Sequence, residues 1–250
     1  MDMLELAPGW RHQPCAPVSP LRLGDGRELH LAADVVTFNR AHSVRALDFA
    51  GASEADRLYA IAERRALLMS WLDCLPGPVV NRVDPSGLAG FEVDDLAWRV
   101  EAARCGLQVA EVTLTTASRR SGWRSGGAFR LPADGGIRLE GEELPDRAGE
   151  GRRPVFFTPD TRKERTTLLV AGSDVLGDST LPIVPPDLAA GALTLARSVG
   201  CPLLEVELAA RSHGSGWLFT RASPRPALST ALHLDAAARL LERLAASPCC

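Results

Sequence analysis

Apolar residues recur at helical spacing in four segments, with shorter extended runs between them. Leu58, Ile61, Ala62, Met69 and Leu72 share one helical face. That helix opens at Ser53-Glu54-Ala55-Asp56, where a hydroxyl and a carboxylate meet the first free amides, and Pro76-Gly77-Pro78 stops it after Cys74. A second helix is predicted from about Val93 to Arg104, with Gly106 as a left-handed cap. A third spans 187–199 and ends at Gly200. The fourth spans 231–246, with Leu234, Ala237, Leu240, Leu241 and Leu244 on one face. Extended runs are predicted at Asp34–Phe38, Val79–Arg82, Glu111–Thr115, Ala128–Leu131, Gly136–Leu139 and Pro154–Thr158. Thr166–Val170 turns through Gly172-Ser173 into Val175-Leu176, and Leu203–Leu208 forms a hairpin with Trp217–Thr220 across 212–216. Residues 1–33 read as loop with one or two short strands. No internal repeat is present, and the mixed order of strands and helices predicts α/β plus α+β layers.

Length and charge narrow the class. A chain of 250 residues, 46 % apolar and 24 % charged, supports one large globular domain or two small ones. Its net charge of −3, without a long block of one sign, argues against a nucleic-acid groove or a polybasic membrane patch. The longest apolar runs fall short of a membrane span. Met1-Asp2-Met3-Leu4-Glu5 lacks the basic and apolar regions of a secretory signal, so a cytoplasmic location is expected. Six scattered cysteines and five dispersed histidines show no zinc spacing. Cys74, Cys105 and Cys201 read as buried thiols, and the terminal Cys249-Cys250 as a solvated tail rather than a metal, redox or prenylation site.

The basic residues are unusual: 27 arginines stand against a single lysine, Lys163. Arg119, Arg120 and Arg124, interleaved with Trp123 and glycines, read as a solvated loop or a mobile grip for anions. Asn81-Arg82 lies at a strand end, where open α/β sheets place ligands, although a turn-forming role fits equally. Gly122–Gly127 lacks the Lys-Ser/Thr and following helix of a phosphate-binding loop.

Several segments stand in a familiar order. Asp34-Val35-Val36, Glu63–Leu68 and Pro78-Val79-Val80-Asn81-Arg82, followed by Gly106–Thr115, resemble the front half of RimK-like ligases of the ATP-grasp superfamily. There a "VxNR/P" strand end precedes a helix closing in "GLxVPxTLxT". Pro154–Phe157 resembles the adenine-hinge strand, Leu169–Val175 the "RVxVVGDxV" hairpin, and Gly200–Pro226 the element "GLxxxxVDLxxxxDGxWxFLEVNPxP". The likeness spans about 34–246. It implies a pre-ATP-grasp-like α/β domain at 1–115, a shortened flexible subdomain at 116–153 and an ATP-grasp C-terminal-like subdomain at 154–250.

What the resemblance implies about chemistry is altered at the residues that matter. These ligases phosphorylate a carboxylate with ATP and pass the acyl group to an amine, using Mg²⁺ held by an acid of "VDL" and by the Glu and Asn of "EVN". Here those positions read Glu207, Arg221 and Ser223. A guanidinium carries five donors and no lone pair for a metal. The family's phosphate-gripping lysine has no counterpart, with Arg124 or Arg130 as the stand-ins. Pro159 follows Thr158 at the hinge, and the arginine of the "DxR" strand becomes Thr166 or Thr167. The expectation is therefore a degenerate scaffold without metal or other cofactor. It would bind a peptide, a metabolite or a partner enzyme in a biosynthetic pathway, through Glu207, Arg221, Ser223, Arg225, Arg124, Arg130, Asn81 and Arg82 in the former ATP cleft. The alternative is a divergent active carboxylate–amine ligase using ATP and Mg²⁺. Nucleic-acid and membrane partners are not expected, and a homo-oligomer is left open.

Overall fold

The computed structural model describes residues 3–4, 11–12, 20–23, 25–41, 43–44, 51–91, 93, 95–109, 113–115, 128–130, 138–140, 155–158, 164–211, 216–228 and 230–246. For the strands at 3–4, 43–44, 113–115, 128–130, 138–140 and 155–158 the backbone alone is described. The N-terminal elements are β1 (Met3–Leu4), β2 (Leu21–Arg22), β3 (Glu28–Leu29), β4 (Thr37–Phe38), β5 (Ser43–Val44), α1 (Glu54–Asp73), β6 (Val79–Val80) and α2 (Asp95–Arg104). Then come β7 (Thr113–Thr115), β8 (Ala128–Arg130), β9 (Arg138–Glu140) and β10 (Val155–Thr158). The C-terminal elements are β11 (Arg165–Ala171), β12 (Asp174–Gly177), α3 (Pro186–Ser198), β13 (Leu203–Ala210), β14 (Trp217–Ser223) and α4 (Ala231–Ala246).

Local chemistry explains where the helices begin and end. The Ser53 hydroxyl accepts from the Asp56 amide at 3.2 Å, so the cap that opens α1 is built from the residues that predicted it. After α2, Gly106 at φ +84° lets its own amide donate to Ala103 and the Leu107 amide donate to Ala102. This is the Schellman pattern, which satisfies carbonyls the helix would otherwise leave bare. Gly200, at φ +63°, repeats it after α3: Gly200 donates to Arg197 and Cys201 to Ala196.

Four strands, β12-β11-β13-β14 in spatial order, form the antiparallel sheet that organises the C-terminal half. β11 and β12 turn through Gly172-Ser173 with Ala171 opposite Asp174. One face of the sheet sends Leu168, Val170, Leu204, Val206, Leu208 and Phe219 into a core closed by α3 and by Trp98, Ala102 and Leu107 of the α2 region. The α2 segment is therefore packed on the C-terminal sheet, and Val109 bridges to Phe219 in parallel. The other face is covered at one end by α4, where Ala236, Ala237 and Leu240 meet Leu169, Ala171 and Leu203, with Val80 of β6 among them. A second antiparallel sheet runs β7-β10-β8-β9 and draws its strands from both sides of the borders expected at 115 and 153. Parallel pairs β1–β5 and β4–β6 and the hairpin β2–β3 complete the N-terminal part. None of the described helices is long and apolar enough to cross a membrane.

Three pattern-based expectations are corrected. Asp34–Phe38 contributes only Thr37–Phe38 as strand, because the Val35 amide turns back to Ala32 and pairing with Pro78 begins at the Thr37 amide. Leu58, assigned to the core face of α1, is 61 % exposed, and no core cluster takes a residue of α1 before Leu68. Leu68, Trp71 and Leu72 carry the burial instead. In α4 the expected Ala237, Leu240, Leu241 and Leu244 do pack on the core, His233 and Ala236 join them, and Leu234 alone of the expected face is exposed, at 55 %.

Candidate functional site

Strand alternation fixes what lies on the open part of the sheet. Leu204, Val206 and Leu208 of β13 point into the core, so Glu205, Glu207 and Ala209 point the other way. Register then places Thr167 of β11 and Arg221 of β14 on either side of Glu207, and Ser223 opposite Glu205. Arg165 pairs with Ala209, two residues along the same face. Beyond the end of α4 the sheet thus presents a polar surface of Arg165, Thr167, Glu205, Glu207, Arg221 and Ser223.

Glu207 is the centre of that surface. Arg165 Nη1 donates to Glu207 Oε1 at 3.0 Å, and Arg221 Nε donates to Oε2 at 3.0 Å. Thr220 Oγ1 lies 2.9 Å from the Glu207 carbonyl oxygen and 3.1 Å from Oε1, beside an irregularity in the β13–β14 pairing between Glu207 and Leu208. Each carboxylate oxygen therefore has a guanidinium donor. The Glu207 side chain is 18 % exposed, whereas those of Arg165 and Arg221 are 39 % and 48 % exposed. Glu205 is engaged elsewhere: its Oε2 accepts from the Ala227 amide at 2.8 Å. Ser223 Oγ accepts from the Arg225 amide at 3.1 Å, fixing the turn that follows β14.

Asn81 is fully buried and serves a different purpose. Its backbone sits at φ +57°, a conformation asparagine adopts more readily than most residues. Its Nδ2 donates to Leu203 O at 2.8 Å and to Pro224 O, while Oδ1 accepts from the Leu203 amide at 3.3 Å. The Asn39 side chain, also buried, donates to Asn81 O at 3.1 Å and to Leu88 O at 2.5 Å. Asn81 thus fastens the N-terminal segment to the start of β13 and to the turn after β14, and Asn39 ties the Asn81 backbone to Leu88. Arg82, next in sequence, is exposed. Arg130 lies on β8 opposite Phe156, with its backbone alone described, and Arg124 lies outside the described residues. The structure therefore gathers Glu207, Arg221, Ser223 and Arg225 around one hairpin and puts Asn81 behind it.

Arg165 was missed by sequence reasoning, which looked for the strand's basic residue at Thr166 or Thr167. Thr166 faces away from Glu207 and donates to Asp178 Oδ1 at 2.7 Å. The signal was present in the alternation Arg165, Thr167 against Leu168, Val170, which sets Arg165 on the polar face. Asp178 also accepts from the amides of Thr167, Thr180 and Leu181. Burial pushes its carboxyl up, but the Thr166 hydroxyl and the three amides outweigh it and hold it below the usual aspartate range.

The fold is the ATP-grasp fold. The structure of the macrocyclase MdnC bound with precursor peptide MdnA, from Microcystis aeruginosa MRC, superposes with a TM-score of 0.68 at 13 % identity, covering 94 % of this chain and 86 % of that one. The ATP-grasp ligase PsnB complexed with minimal precursor, Mg and ADP gives 0.61 at 16 % identity, covering 90 % and 81 %. A RimK-domain ATP-grasp protein from Sphaerobacter thermophilus DSM 20745 gives 0.51 at 17 % identity, covering 73 % and 77 %. No family model matches the chain, and no curated protein matches it by sequence. The likeness to proteins such as PsnB, solved with Mg and ADP, lends no support to the expectation of a cofactor-free chain. That question falls to the residues themselves.

The residues around Glu207 set two cations beside the carboxylate that a magnesium ion would need. Mg²⁺ needs near-octahedral oxygen ligation at about 2.0–2.1 Å, and each Glu207 oxygen already accepts from a guanidinium. Two cations thus flank one anion. Among the described residues no three His, Cys, Asp or Glu side chains converge as a metal group.

Proposed function

We propose that this chain is a non-catalytic ATP-grasp-fold protein that binds a peptide and assists a ligase in a peptide-modifying biosynthetic pathway. The observation that carries this reading is the clamp on Glu207, one oxygen to Arg165 and the other to Arg221. In the resemblance set out above, Glu207 stands where a metal-holding acid belongs and Arg221 where a second one does. Exchanging that second acid for a guanidinium changes the local charge by two units and removes two oxygen ligands. The peptide as ligand is supported by the company the fold keeps: MdnC is bound with a precursor peptide, PsnB is complexed with precursors, and a Chryseobacterium gregarium RiPP-associated ligase is held with a leader and core peptide.

An active carboxylate–amine ligase is the second reading. It has in its favour that Glu205 and Glu207 still place two carboxylates on the open face of the sheet. The two readings separate in one experiment: isothermal titration with Mg·ATP alongside a phosphate-release assay over carboxylate-bearing peptides. The non-catalytic reading expects no magnesium-dependent heat and no phosphate above the buffer rate. Micromolar, magnesium-dependent binding with peptide-stimulated phosphate release overturns it in favour of the ligase.

A further inference from the structure

We propose that the polar face around Glu207 is a metal-independent oxyanion site, in which Arg165 and Arg221 hold a phosphoryl or carboxylate group directly. The inference rests on the non-catalytic reading and specifies the ligand chemistry of the same site. Single arginine–carboxylate pairs occur among the described residues at Arg104–Glu101, Arg239–Asp235 and Arg27–Asp25. Glu207 is met by two arginines, while Glu205 sets a second carboxylate on the same face of β13.

The geometry leaves donors on both guanidiniums uncommitted among the described residues. Each guanidinium presents five N–H donors in a planar fork, and one from each is spent on Glu207 among the described residues. The arginines come from strands on opposite sides of β13 and reach the same carboxylate from two directions. Glu207, the least exposed of the three, forms a floor, and the outer edges of both guanidiniums remain open to solvent. Glu205, on the same face, has one carboxylate oxygen held by the Ala227 amide. An arriving oxyanion would therefore meet donors already oriented by Glu207, in the arrangement that suits bidentate recognition of phosphate and carboxylate. A dication would instead approach against two positive charges. Glu207 thus acts as the residue that positions the two arginines, rather than as a ligand.

The test is isothermal titration of the full chain, in EDTA, with inorganic phosphate, ADP and glutarate; the phosphate and ADP arms report a phosphoryl source and the glutarate arm a carboxylate source. The proposal expects at least one probe to bind without metal. Arg165→Ala and Arg221→Ala should each weaken it roughly tenfold, the loss of one charge-assisted contact, while the thermal midpoint stays near wild type. Arg221→Lys, which keeps the charge but loses the fork, should recover only part of the affinity. Absence of binding by all three probes at millimolar concentration, binding that appears only when Mg²⁺ is added, or unchanged binding in both alanine variants would overturn it. Failure here with no peptide-stimulated phosphate release removes the oxyanion site and leaves the non-catalytic reading standing. Phosphate release removes that reading whatever the anions do.

Discussion

Replacing Asn81 by alanine should unseat the joint between the two halves of the chain. The substitution strips partners from the Leu203 carbonyl, the Leu203 amide and the Pro224 carbonyl at a position with no solvent exposure. Each buried backbone group left unpaired costs about 1–3 kcal/mol. Alanine at φ +57° adds about 1 kcal/mol of backbone strain. Partial relaxation will return some of this, so the loss should be about 3–5 kcal/mol, a large share of the roughly 5–15 kcal/mol that holds a typical domain folded. Urea denaturation followed by tryptophan fluorescence measures it, since Trp71 and Trp98 are buried on either side of the joint. The midpoint should fall by about 1–3 M at an ordinary urea dependence. Asn81→Gly separates the causes, because glycine accepts the left-handed backbone but makes no side-chain bonds. If Asn81→Ala lies within about 1 kcal/mol of wild type, the joint is not a structural one. If Asn81→Gly alone restores wild-type stability, the hydrogen bonds contribute little and strain accounts for the effect.

Two further outcomes follow from the C-terminal sheet. Asp178→Ala removes the acceptor shared by Thr166, Thr167, Thr180 and Leu181 and should cost about 2–3 kcal/mol at neutral pH. Because the folded state holds the Asp178 carboxyl below its ordinary value of 3.8, the wild-type advantage should be complete above that value and shrink as pH falls through the lower folded-state value; urea titrations at pH 7 and pH 3 that give the same difference contradict this. At Gly177 a Cβ would stand 1.8 Å from the Leu181 carbonyl oxygen, so Gly177→Ala must shift the backbone after β12 and should lose about 2–3 kcal/mol, read as a fall in thermal midpoint. A midpoint unchanged within error would show that this turn is free to move.

Legibility from sequence followed the range of the interaction. Helix ends were readable because their chemistry is local: Ser53 and Asp56 are three residues apart, and Gly106 and Gly200 cap the turns they follow. The hairpin at Gly172-Ser173 was readable for the same reason. Glu207 and Arg221 were readable as neighbours because one hairpin fixes their register, and the structure places them opposite one another. Arg165 meets Glu207 across 42 residues, and only the register of β11 on β13 brings them together. Asn81 presents the same difficulty at greater range, since its partners Leu203 and Pro224 lie 122 and 143 residues away. A strand-end asparagine looks alike from sequence whether it faces a ligand or a buried backbone. Helical periodicity gave most of the α4 face, with Ala237, Leu240, Leu241 and Leu244 on the core, but erred at Leu234 and over the first half of α1 because it sees which residues are apolar, not what packs against them. Leu58 and Leu234 are apolar and exposed, while His233 is polar and buried.

The most direct test of the arginine clamp is a crystal structure of the full chain grown with a non-hydrolysable ATP analogue and excess Mg²⁺. Glu207 should remain held between Arg165 and Arg221, with no ordered Mg²⁺ at coordination distance, about 2.0–2.1 Å, from either carboxylate oxygen. A magnesium ion ligated by Glu207, with Arg165 or Arg221 swung away to admit it, would contradict the account at its centre.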